Sequence, residues 1–93
     1  MSETIPKKMT AAVLYEDGKI RLESINTPQP ADDEVLARVR AVAICGTDPK
    51  IIKGVFKGLW PKSYPAVIGH EWAGEIVQVG RSVRRVKIGD RVA

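Results

Sequence analysis

The chain has 93 residues, 44% hydrophobic and 28% charged, with a formal net charge of +4. This is the composition of an ordinary globular protein and excludes wholesale disorder, while the length allows one small domain that buries roughly 60–65% of its unfolded surface. A lone cysteine excludes an intrachain disulfide, and no uncharged apolar run approaches the ~18 residues of a membrane span.

Residues 1–8 are polar, contain Pro6 and lack the apolar core of a signal peptide. They read as a loose tail, and the free thiol suits a reducing compartment, so the expectation is a cytoplasmic protein. Residues 11–16 and 19–25 read as two strands. Asp17-Gly18 between them is a two-residue hairpin signal, because glycine tolerates positive φ. In the second strand Ile20, Leu22 and Ser24 share one face, and Arg21, Glu23 and Ile25 the other. Thr27-Pro28-Gln29-Pro30 is an extended linker and Asp32-Asp33-Glu34 a polar turn. Residues 34–44 form the clearest strand. It is amphipathic at first and apolar on both faces later, which predicts a more buried C-terminal half.

Thr47-Asp48-Pro49 fits a helix start, with Thr47 or Asp48 as cap and Pro49 at the first helical position. Gly54 keeps that helix short. Residues 55–64 are irregular, punctuated by Gly58 and Pro61. A strand over 72–79 closes at Gly80, and a last one over 86–92 is interrupted at Gly89-Asp90. Strands dominate, helix is scarce, and the fold class expected is mainly β, a small barrel or part of one with one short helix.

Basic residues cluster at Lys50, Lys53, Lys57 and Lys62, and again at Arg81, Arg84, Arg85, Lys87 and Arg91. An anionic partner is one reading. The plainer one is a solvated face balanced by acids elsewhere, and it is favoured. Phe56, Trp60 and Tyr64 are the only aromatics near the clusters, and no nucleic-acid motif accompanies them. Neither nucleic acid nor a membrane is expected as a partner.

The chain's only cysteine, Cys45, heads Cys45-Gly46-Thr47-Asp48, and its only histidine stands in Gly69-His70-Glu71. Thiolate, imidazole and carboxylate are the side chains of an open zinc site. His70 and Glu71 are adjacent, so in a regular strand they point to opposite faces. Both reach one metal only if the backbone turns, which Gly69 permits; otherwise His70 binds and Glu71 sits behind. Asp48 can accept a hydrogen bond from the other ring nitrogen of His70, an arrangement that fixes the tautomer. Thr47 offers a hydroxyl able to relay a proton from an alcohol. A lone cysteine after a strand is more often a small apolar filler, and a lone histidine more often a satisfied structural residue. Composition and spacing alone therefore favour the structural reading.

Gly69-His70-Glu71 followed by Gly74, Gly80 and Val83 resembles the zinc-site signature of the medium-chain zinc-containing alcohol dehydrogenases. Cys45-Gly46-Thr47-Asp48, the segment 87–92 and the opening strand from Met9 add to the likeness, which covers roughly residues 9–93. The resemblance implies the N-terminal part of a GroES-like β-barrel, with Cys45 and His70 as zinc ligands. Glu71 would be a ligand as in the polyol-dehydrogenase branch, or a neighbour that exchanges with water. Thr47 would hydrogen-bond the substrate oxygen, and Asp48 would support His70. It implies oxidation of a small alcohol or polyol with NAD or NADP in the parent enzyme. Pro49 and Lys50 occupy the stretch where many members carry a relay histidine. No Gly-rich phosphate loop is present, so the isolated chain is expected to be inactive, with self-association through exposed strand edges. The alternative is a non-catalytic GroES-like module that oligomerises or docks a partner. Zinc-free quinone-reductase relatives lack both the Cys and the Gly-His-Glu motifs, which disfavours that branch.

Overall fold

The computed structural model describes residues 4–93. Six strands and one short helix follow in order: β1 (Lys8–Leu14), β2 (Ile20–Asn26), β3 (Val35–Ala43), α1 (Asp48–Ile52), β4 (Ala66–Val67), β5 (Glu71–Val79) and β6 (Arg91–Val92). They form two three-stranded sheets, ordered β2-β1-β4 and β3-β5-β6, with antiparallel pairing throughout. The fold is mainly β, as expected.

The first hairpin forms because alternation and turn chemistry agree. Ala11, Val13 and Leu14 of β1 are buried, and Glu23 and Ile25 of β2 are half-buried, so the Arg21–Glu23–Ile25 face turns inward and Leu22 outward. The loop is longer than the two residues expected. The Tyr15 N–H bonds the Lys19 carbonyl at 2.9 Å and Gly18 sits at φ 83°, a three-residue loop with glycine in the left-handed position. The Tyr15 hydroxyl donates to Glu23 across the hairpin. Thr27 ties the preceding chain to the sheet edge, donating from its hydroxyl to the Pro6 carbonyl at 2.6 Å and from its N–H to Lys7 at 2.9 Å. Of the expected tail, residues 1–3 lie outside the described residues, and Lys8 is already in β1.

The second sheet is built on β3 and β5, paired from Val35↔Val79 to Ala43↔Glu71, with irregularities between Leu36 and Ala37 and between Val39 and Ala41. The expected burial of the C-terminal half of β3 is not found. Leu36 and Ala37 are half-buried, whereas residues 38–43 are exposed, Val42 by 63%, and Ile44 just beyond by 84%. The reason is architectural: no third layer lies over this face among the described residues. The expected strand over 86–92 shrinks to Arg91–Val92. The Lys87 N–H donates to the Asp90 side chain at 3.0 Å and Gly89 sits at φ 96°, so residues 87–90 turn instead.

The helix α1 begins one residue earlier than the proline signal implied, at Asp48, with Pro49 in its second position. Thr47 precedes it without any side-chain capping bond, because its hydroxyl is engaged elsewhere. Ile51 is fully buried, as are Leu14 and Ile76. The far end of α1 lies against the first hairpin: a Cβ on Gly18 would meet the Ile52 carbonyl at 3.6 Å. Lys57 pairs with Glu16 nearby. The strand β4, not foreseen, adds two residues to the first sheet through Val13↔Val67 and Leu14↔Ala66. It thereby places Ile68-Gly69-His70 at the seam between the sheets.

Candidate metal centre

The register of β3 against β5 gathers the site. Ala43 lies opposite Glu71, so Cys45, just past the end of β3, and His70, just before β5, leave the same end of one ladder. Twenty-five residues of sequence separation collapse into a neighbourhood. Gly69 adopts φ 127° immediately before His70, so the chain turns as it enters β5, and His70 and Glu71 reach the same cluster although a straight strand would point them apart. The ligand-capable atoms of Cys45, His70 and Glu71 lie within 4.8 Å of one another, with Cys45 half-buried and the other two exposed.

Around this cluster the Cys45-Gly46-Thr47-Asp48 segment folds back on its own thiol. Cys45 Sγ lies 3.4 Å from both the Thr47 hydroxyl oxygen and the Thr47 backbone nitrogen. The Cys45 N–H donates to Asp48 Oδ2 at 2.9 Å. Asp48 Oδ1, in a residue only 8% exposed, has no hydrogen-bond partner. It lies 3.4 Å from His70 Nδ1, at ion-pair distance but without hydrogen-bond alignment. An orphaned buried carboxylate oxygen is costly unless a charged neighbour compensates it, and the imidazole is the group in place to do so. The indole of Trp60 packs against the same imidazole, ring centroids 5.0 Å apart and planes at 62°.

Electrostatics follow from these contacts. The Thr47 hydroxyl, then the Thr47 N–H, then His70 bond the ionised sulfur and hold the Cys45 thiol below its usual range, against burial and the charge of Glu71. Cys45 in turn raises His70, opposed by burial and aided by Asp48 and Glu71. The pair leans toward thiolate and imidazolium, a state in which sulfur is ready to ligate and a cation would replace the imidazolium proton.

All five sequence-selected residues, Cys45, Thr47, Asp48, His70 and Glu71, thus fall within one locality. Trp60, which joins them through its ring, carries no metal-site signal in the sequence. Of the basic clusters, Lys57, Arg81 and Lys87 pair with Glu16, Asp32 and Asp90, as a balanced solvated face would.

A mainly β fold of two three-stranded sheets with one short helix is consistent with part of a GroES-like domain. The family model described as the alcohol dehydrogenase GroES-like domain matches residues 31–93, and the chain belongs to the medium-chain, zinc-type alcohol and polyol dehydrogenase family. It is 43% identical to a sorbitol dehydrogenase of Bacillus subtilis (strain 168) over 93 residues, 100% of this chain and 26% of the relative. It is 43% identical to a D-arabitol-phosphate dehydrogenase of Enterococcus avium over 92 residues, 99% of this chain and 25% of the relative. Among solved structures, an acetophenone reductase from Geotrichum candidum NBRC 4597 in complex with NAD aligns with a TM-score of 0.76 and 28% identity, covering 88% of this chain and 23% of that one. The chain therefore spans about a quarter of the length of these relatives. Among the described residues no helix is long and apolar enough to cross a membrane.

Proposed function

We propose that this chain supplies the metal-binding part of a zinc-dependent alcohol or polyol dehydrogenase, with Cys45, His70 and Glu71 as the protein ligands. The parent reaction is oxidation of a small alcohol or polyol to a carbonyl with NAD or NADP. Residues 9–93 are the N-terminal part of its GroES-like domain, working in the cytoplasm. The observation that carries the reading is the convergence of one thiol, one imidazole and one carboxylate within 4.8 Å. Tetrahedral zinc with bonds of about 2.0–2.3 Å places neighbouring donors roughly 3.3–3.8 Å apart. The exposed His70 and Glu71 side chains need close by only about an ångström to reach that geometry.

When bound, zinc supplies Lewis acidity toward an alcohol oxygen. The remaining work belongs to the chain. Thr47 carries a hydroxyl beside Cys45 Sγ, which would hydrogen-bond the oxygen of a substrate hydroxyl held at the cluster. Asp48 places Oδ1 3.4 Å from Nδ1 of His70 as a charged neighbour, which would leave Nε2 for the metal. Its other oxygen fixes the Cys45 backbone. Substrates that place a second hydroxyl near Glu71 fit this polar rim, as a polyol would.

Metal analysis of the purified chain tests the reading. About one zinc per chain is expected, falling to background in Cys45→Ala, because three protein ligands suffice for an open site and two do not. Stoichiometric zinc in Cys45→Ala would sink Cys45 as a ligand.

A further inference from the structure

We infer that Trp60 is a positioning residue for His70, its indole holding the imidazole in the orientation that completes the metal site. The inference rests on the zinc reading above.

His70 needs such support. It follows a glycine at φ 127° and its side chain is 29% exposed. A histidine ring turns about a broad, soft terminal torsion, so only its neighbours set its plane. One neighbour, Asp48 Oδ1, lies at 3.4 Å without hydrogen-bond alignment and fixes position better than plane. A second is the Cys45 sulfur, to which the ring hydrogen-bonds at one edge; the third is the indole at 5.0 Å and 62°, inside the separation and angle at which aromatic rings prefer to meet edge to face. That contact constrains the plane.

Trp60 is itself held in place. Its backbone N–H donates to the Phe56 carbonyl at 2.8 Å, the Leu59 N–H donates to the same oxygen at 2.9 Å, and the Phe56 ring lies 6.3 Å from the indole, tilted by 36°. The next residue, Pro61, is buried. An aromatic file, Phe56 to Trp60 to His70, thus runs from the turn after α1 to the head of β5. Partners that orient a metal-bound histidine typically change affinity by about 10–100-fold when removed. The indole acts through a ring contact, so another ring should serve and an aliphatic side chain of similar bulk should not.

The test uses cobaltous ion alone, titrated into the 93-residue chain and its variants Trp60→Phe, Trp60→Leu and Trp60→Met. The thiolate-to-cobalt charge-transfer band reports affinity. The metal-free proteins report the contact itself: His70 is the only histidine, so its ring protons are identified without ambiguity and carry the ring-current displacement of a neighbouring aromatic. The expected result is a displacement present in the wild type and Trp60→Phe and lost in the leucine and methionine variants. Their cobalt binding should weaken about tenfold, with Trp60→Phe within about threefold of wild type. Two aliphatic variants are included so that misfolding of one leaves a second to read. Affinity unchanged in a folded aliphatic variant, an equal loss in Trp60→Phe, or a displacement that survives loss of the ring would overturn the inference while the metal reading stands. Absence of the charge-transfer band in the wild type would overturn the metal reading, and this inference with it.

Discussion

At φ 127° Gly69 holds a backbone conformation that side-chain-bearing residues rarely adopt, although a Cβ there would touch nothing within 4 Å. The constraint is conformational rather than steric, and it falls where His70 and Glu71 must both turn toward Cys45. Gly69→Ala should cost about 1–3 kcal/mol of stability through backbone strain. It should weaken zinc binding as well, since relief of the strain moves both ligands. Urea denaturation of the metal-free chain, set beside a zinc titration, reads the two effects; a variant equal to wild type in both would show that the turn is not needed. The five polar site residues were legible because each is a distinctive residue type inside a short motif, two of them unique in the chain. Whether Glu71 joined His70 was not legible, because it depends on the backbone between them and on both side-chain rotamers, which the motif does not fix. Trp60 was not legible either. It lies ten residues before His70 in an aperiodic loop, and only folding brings the two rings together.

Two glycines of the motif owe their identity to the packing of elements. A Cβ on Gly74 would lie 2.2 Å from the Arg38 carbonyl oxygen, and one on Gly80 would lie 2.2 Å from that of Ala31 and 2.3 Å from that of Asp32. These obstacles are backbone, so no side-chain rotation relieves them. Gly74 sits where β5 crosses the irregularity in β3 between Val39 and Ala41. Gly80 sits where the end of β5 meets the 31–34 turn, its N–H bonding the Glu34 carbonyl at 2.8 Å. Gly80→Ala should cost about 3 kcal/mol or more by overpacking, a large part of the roughly 5–10 kcal/mol that holds a chain of this size. A fall in the thermal midpoint with loss of cooperativity is the expected readout, and a midpoint within a degree or two of wild type would contradict it. Strands with clear two-residue alternation, β2, β3 and β5, were readable in the sequence. Strand β4 was not, because two residues carry no period and exist as a strand only by pairing with β1. The turn at 87–90 was hidden by flanking apolar residues, although Gly89 and Asp90, which make it, were already visible as an interruption.

The whole molecule is drawn out, 41 × 24 × 23 Å with a radius of gyration of 14.6 Å, against roughly 12 Å for a compact domain of this length. That shape fits the misjudged burial along β3: among the described residues no element covers the exposed stretch 38–43. With so little core, surface carboxylates weigh more in the pH response. The Arg40 guanidinium, 2.6 Å from the Glu75 carboxylate across the β3–β5 ladder, holds that carboxyl below its usual range. The Lys87 backbone N–H does the same for Asp90 in the turn before β6. A carboxyl whose pKa is lower folded than unfolded stabilises the fold above its unfolded value, and that contribution is lost as pH falls through the folded one. Lys57, raised chiefly by its hydrogen bond to Glu16, has the opposite sign: its contribution is full below the unfolded lysine value and disappears as pH rises through the folded one. Stability should therefore fall on the acid side, where ordinary carboxylates titrate near 4, and on the alkaline side, where lysines titrate near 10, while raised His70 and lowered Cys45 keep it pH-dependent in between. Glu75→Gln removes one acid-side contributor, so its urea midpoint should lie below wild type at pH 7 and converge on it as the pH approaches 3. Midpoints that run parallel across that range would show that the Arg40–Glu75 pair, exposed as it is, does not couple the second sheet to protonation.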